Sequence, residues 1–95
     1  MIELDDAAAG FAATGSQPRL AVLLALVRAG RGGLTVGEIR DRVGIPASTL
    51  AHHLKSLAAA HLIEQEKRGR EIVSRAAYDQ LQALAGFLLH ECCSE

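Results

Sequence analysis

The stretch LTVGEIRDRVGIPASTLAHHLKSLAAAHLIEQEKRGREIVSR, Leu34 to Arg75, decides the fold. Thr35 is a good N-cap and Glu38 lies three residues on, which makes a capping box. Val36, Ile39 and Val43 then give a short helix its buried face, and Gly44 stops it. Ile45 and Pro46 follow, and Pro46 opens a second helix expected to run to about Ala60. Its apolar positions Leu50, Leu54 and Leu57 are spaced by four and three. Ser48, Thr49, His52, His53 and Lys55 fall largely on other faces. Two short helices joined by a tight, Gly-containing turn make a helix-turn-helix candidate. Many helical hairpins share that pattern, so the residues that follow carry the decision.

Those residues are LIEQEKRGREIVSR, Leu62 to Arg75. Charged side chains interleaved with β-branched ones predict two short strands, with Gly69 in the tight turn between them. A hairpin tipped with Lys67, Arg68 and Arg70 directly after a recognition-helix candidate is the wing of a winged helix. The alternative is a solvated hairpin with a charged tip.

Outward from this centre the chain is helical. Asp5 or Asp6 can cap a short helix running to about Ala13. TGSQP, Thr14 to Pro18, breaks the chain, and Ser16 or Gln17 followed by Pro18 starts the next helix. That helix runs to about Ala29, with Leu20, Leu23, Leu24 and Val27 expected on one face, before Gly30, Gly32 and Gly33 end it. The last helix is expected from Ala77 or Asp79 to near Cys92. Leu81, Leu84, Leu88 and Cys92 line one face, and Phe87 and Leu89 put apolar bulk on others. A terminal helix that is apolar nearly all round needs burial on two sides. The simplest second partner is the same helix of another copy. The expected fold is mainly α with a small β-hairpin. It is a single winged helix-turn-helix domain over residues 1–95, homodimeric through its terminal helices.

Composition narrows the function. Aromatic residues are confined to Phe11, Tyr78 and Phe87, while Ala and Leu dominate, which favours helix over sheet. The acidic start lacks the basic region of a signal peptide, and the longest apolar run, Leu20 to Val27, is too short to cross a bilayer. A cytoplasmic protein is expected. Residues 1–18 carry three acids and no base, residues 40–75 seven bases against four acids, and residues 76–95 three acids and no base. A basic middle between acidic ends suits a polyanion such as DNA. Ser48 and His52 lie four apart, but no third orienting group or oxyanion pocket accompanies them, so no catalytic residue and no enzyme is expected. His53 reads as a packing or hydrogen-bonding residue, and His61 as a surface residue at a helix end.

The order of these elements closely resembles the ArsR/SmtB family of bacterial repressors, over about Ser16 to Cys93. The most specific piece is STLAHHLKSLAAAHLI followed by KRGREI, where the family pattern is S-T-hydrophobic-x-x-H-L-x-x-L and then a turn into an R-x-G-R wing. His53 falls on the family's histidine position. His61 departs from the pattern, where glycine is usual. Members are winged-helix homodimers that leave DNA when an inducer binds. The resemblance implies that Ser48, Thr49 and His52 face the major groove, and that Lys55, Arg68 and Arg70 contact the backbone. Hydroxyls and a histidine can read base edges, while Arg and Lys bind phosphate without reading sequence. A two-fold dimer would meet operator DNA as an imperfect inverted repeat.

The resemblance also frames the sensor. One family site, C-x-C in the first helix of the reading motif, is absent, since Val36 and Gly37 stand there. A zinc site of the form D-x-H on the last helix is absent too, because Gln80 and Leu81 follow Asp79. His90 and Cys93 alone make a poor zinc site, as zinc prefers four ligands. What remains is Cys92 and Cys93, the only two cysteines, which read as free thiols, ligands or redox groups rather than a disulfide framework. They closely resemble the Cys-Cys ending of repressors that sense trivalent arsenic or antimony. That resemblance implies an inducer, As(III), Sb(III) or an organoarsenical, held by two soft thiolates, with no resident cofactor required. Arsenite favours three sulphurs, whereas an organoarsenical needs two. Rival readings are a thiol-redox response, through an adjacent disulfide that is strained and easily reduced or through one between subunits, another soft-metal response, a winged helix without an inducer, and a thiol oxidoreductase. The last lacks C-x-x-C spacing.

Overall fold

A computed structural model describes residues 2–93. Helices α1 (Leu4–Thr14) and α2 (Gln17–Ala29) lead into strand β1 (Leu34–Thr35) and helices α3 (Val36–Val43) and α4 (Ala47–Ala59). Strands β2 (Ile63–Arg68) and β3 (Glu71–Ala76) follow, and α5 (Tyr78–Cys93) ends the described chain.

Local chemistry explains most boundaries. Ser16 caps α2 by accepting from the Arg19 N–H at 3.4 Å, with Pro18 in the first turn. The capping box of α3 is complete. Thr35 Oγ1 accepts from the Glu38 N–H at 3.2 Å, and Glu38 Oε1 accepts from the Thr35 N–H at 2.8 Å. These bonds favour the ionised Glu38 carboxylate and hold its pKa below the usual value. Gly44 closes α3 in the left-handed region at φ 70°. Two expectations shift slightly. Pro46 is the residue before α4 rather than its first helical residue. In α1, Glu3 holds the cap position without a side-chain bond, while Asp5 and Asp6 sit in the first turn, where carboxylates favour the helix dipole.

The hairpin is present with Gly69 in its turn, and it is joined by a third strand. The antiparallel sheet has the order β1-β3-β2, with Leu34 opposite Ser74 and Ile63 opposite Ala76. The core gathers Val22, Leu26, Ile39, Leu50, Leu57 and Leu62, all fully buried. Here α2 departs from expectation. Its buried side is Val22, Leu23, Ala25 and Leu26, whereas Leu20 and Leu24 are exposed. Nearly every position from Leu20 to Val27 is apolar, so spacing alone does not select a face. The Tyr78 hydroxyl donates to the Val27 carbonyl at 2.9 Å, tying the start of α5 to the end of α2.

α1 packs on α2, α4 and α5. The approach to α5 is close because Gly10 is buried under Leu84; a Cβ at Gly10 would lie 2.9 Å from Leu84 Cδ2. Leu84 is the one residue of α5 that this fold buries, while Leu88 and Leu89 are more than half exposed. Among the described residues, no single helix is long and apolar enough to cross a membrane.

Candidate functional site

Helix α4 has two faces. Leu50, His53, Leu54 and Leu57 are buried. Ser48, Thr49, His52 and Lys55 are all exposed. Positions 48, 52 and 55 follow the three-and-four spacing of one helical face, with 49 beside them. The four residues expected to meet DNA are thus displayed together on the solvent side of the second helix of the motif.

The wing carries the other two. Arg68 closes β2 and Arg70 lies in the turn, both exposed. Arg68 Nη2 lies 3.4 Å from Glu66 Oε1, and the same oxygen accepts from Arg75 Nη2 at 2.7 Å. The two guanidinium groups, Arg75 foremost, hold the Glu66 carboxyl below its usual pKa. Arg75 Nε also donates to the Arg31 carbonyl at 3.1 Å, so it braces the sheet. Lys55 and Arg70 make no ion pair among the described residues. This set offers hydroxyls and an imidazole on a helix, flanked by cations on a strand turn.

His53 and His52 are neighbours with opposite fates. His53 is buried and accepts at Nδ1 from Arg19 Nε at 3.5 Å, as a packing and hydrogen-bonding residue should. Burial first, then the positive charge of Arg19, then His52, lower its pKa. Sequence reasoning had no view of Arg19. Its signal was local: a cation in the first turn of α2, where the helix dipole disfavours it. His61 is exposed and takes φ 63°, the left-handed conformation that explains why glycine suits that position.

Cys92 and Cys93 occupy the last described turn of α5 and are fully on the surface. Their sulphurs are joined as an adjacent disulfide, the state that the redox alternative allowed for the pair. Both sulphurs therefore reach one point in space. No group of three or more His, Cys, Asp or Glu is placed to hold a metal among the described residues. His90 lies on the same helix, lining a shallow apolar groove with Ile2 and Phe87.

A family profile described as a helix-turn-helix domain matches residues 18–66, from the start of α2 into the wing. No curated protein matches the chain. Among solved structures, an ArsR-like transcriptional regulator from Rhodococcus sp. RHA1 is 31% identical, with a TM-score of 0.80 over 92% of this chain and 79% of that one. A homodimeric winged helix-turn-helix DNA-binding domain from Mycobacterium bovis, a possible ArsR-family regulator, is 25% identical. Its TM-score is 0.73, over 93% of this chain and 80% of that one. NolR from Sinorhizobium fredii is also 25% identical, with a TM-score of 0.72 over 96% and 88%. The matched motif, the exposed α4 face and the basic wing belong together: the chain is no enzyme but a member of the ArsR/SmtB family of winged-helix, DNA-binding transcriptional regulators.

Proposed function

We propose that this protein is a cytoplasmic, homodimeric repressor that leaves its operator when a trivalent arsenical binds Cys92 and Cys93. The observation that carries this reading is the exposed sulphur pair at the end of α5, beside an uncovered apolar surface formed by Leu88 and Leu89. A partner copy on that surface would bury the leucines and place both sensor ends at the interface. The homodimeric relative from Mycobacterium bovis supports a two-copy assembly.

In this reading Ser48, Thr49 and His52 meet base edges, while Lys55, Arg68 and Arg70 meet phosphates. Arg68 exchanges Glu66 for phosphate on binding, which is inexpensive because the pair is exposed. Arg68→Ala and Arg70→Ala should each weaken binding to all duplexes and reduce the salt slope by about one. Fluorescence anisotropy from low to moderate salt measures this, and an unchanged slope removes the wing from the interface.

Reduced, the pair offers two soft thiolates to one soft centre. With two sulphurs from this chain, an organoarsenical completes its coordination with its own carbon. Inorganic arsenite or antimonite needs a third donor: water, a cellular thiol, His90 or a cysteine of the other subunit. Binding would fix the end of α5, and α5 touches α1, which in turn touches α4. Changing the dimer's spacing or angle would stop both reading helices fitting one inverted repeat. Coupling of this kind is typically about 1–3 kcal/mol, and it is reciprocal, so DNA weakens inducer binding equally.

The test is a release titration of DNA-bound, phosphine-reduced protein with phenylarsine oxide, arsenite and antimonite. Release by none of them ends the proposal. The disulfide favours a second reading, in which two-electron oxidation of the pair is itself the signal. A disulfide oxidant added without arsenical separates the two: release there, and none by arsenicals, selects the redox reading.

A further inference from the structure

Arg19 sits where three helices meet. Its Nη1 donates to the Ala13 carbonyl near the end of α1 at 3.5 Å, and its Nε donates to His53 Nδ1 inside α4 at 3.5 Å. Its own N–H is bonded to Ser16, the cap of α2. One side chain thus bridges the end of α1, the start of α2 and the middle of α4.

The bridge depends on an unprotonated nitrogen. To accept from Arg19, Nδ1 of His53 must carry no proton, which places the ring proton on Nε2. A proton at Nδ1 would remove the acceptor and set an imidazolium against a guanidinium in a buried place. The charged and titratable groups acting on His53 are Arg19 from α2 and His52 from α4 itself, with ring centres 6.0 Å apart. No carboxylate is among them, and α1 adds only the Ala13 carbonyl, through Arg19. Nothing there would compensate a second positive charge.

We propose that His53 is a positioning residue for DNA binding: neutral, it seats α4 on α1 and α2 through Arg19, and protonated, it unseats α4 and weakens the complex. Thr49 and His52, one helical turn away and next in sequence, move with it. This rests on α4 being the helix that meets DNA.

The sign follows from the direction of the shift. His53 is harder to protonate folded than unfolded, chiefly through burial. Its contribution is therefore complete above about pH 6.5 and is lost as pH falls below that, through the lower folded value.

The experiment compares wild type with His53→Gln, whose amide oxygen can accept from Arg19 but does not titrate. The probe is a duplex recovered from a random pool by selection with the wild-type protein. Between pH 7.5 and 5.5, wild type should lose affinity relative to the variant by less than the roughly tenfold that an unshifted histidine would give, with the loss still growing at the acid end. Parallel pH profiles overturn the proposal. NMR of free wild-type protein gives a readout independent of DNA and of any variant's folding. The His53 ring and the Thr49 and His52 amides should titrate together, below the ordinary histidine range. Amides that stay still while His53 protonates overturn the joint. If the amides move but His52→Ala leaves DNA affinity unchanged, the joint stands and the role of α4 as reading helix fails.

Discussion

Gly33→Ala should cost about 3 kcal/mol of stability, the upper range for a strained backbone position. Gly33 has φ +74°, in the region that disfavours side chains, and its position leaves no room. A Cβ there would lie 2.5 Å from the Ser74 carbonyl oxygen and 2.9 Å from Val73 Cγ1. The first of these is backbone of β3 and cannot swing aside. Relief requires β1 to move off the sheet, breaking the pairing of Leu34 with Ser74 and of Thr35 with Val73. Thr35 is also the cap of α3, so the damage reaches the start of the DNA-binding motif. A domain of this size has roughly 5–15 kcal/mol in total. Each kcal/mol shifts the midpoint by about 4–8 °C, so thermal unfolding should fall by roughly 12–24 °C. Gly32→Ala is the matched control, since no atom lies within 4 Å of its Cβ position and no left-handed φ is involved. A Gly33→Ala midpoint equal to that of Gly32→Ala would show that β1 is not held as described.

That glycine also marks where sequence reading stops. The capping box at Thr35, the stop at Gly44, the leucine stripe of α4 and the turn at Gly69 are local devices, so the motif and wing were legible. β1 has only two residues, too few for alternation to show, and its partner lies about forty positions on. The face of α2 was misread because a helix apolar at nearly every position carries no phase; Val22 and Leu26 win only through the partners they meet. The same limit applies to the site. The exposed set on α4 follows from the leucine spacing, which leaves those residues outside. The Arg19–His53 bond spans 34 positions, and no local pattern foretells it. The sulphur pair was visible by position, and an adjacent disulfide was among the states its spacing allowed, but position alone did not select it.

The double variant Cys92→Ser, Cys93→Ser should bind DNA like wild type and ignore arsenicals. Both residues are exposed at the end of α5 and contribute nothing to the core, so stability should change by less than about 0.5 kcal/mol. In reduced wild type, saturating phenylarsine oxide should lower DNA affinity by about 5–150-fold, the usual range of allosteric coupling. In the double variant that ratio should be one. Serine keeps the shape but offers no soft donor, and no other cysteine exists to replace it. Each single variant should lie near the double, because one thiolate cannot form the chelate that restrains the helix end. A single variant that responds fully would mark its cysteine as idle. Since the thiolate is the attacking form, capture of phenylarsine oxide should quicken as pH rises, while the equilibrium stays level because both thiol protons leave as water with the arsenical's oxygen. This runs alongside the His53 effect without mimicking it, because His53 acts on DNA affinity with no inducer present. Mass spectrometry supplies the stoichiometry: one phenylarsine group per wild-type chain, none on the double variant. DNA release from the double variant at the same phenylarsine oxide concentration would place the sensor elsewhere and remove Cys92 and Cys93 from the mechanism.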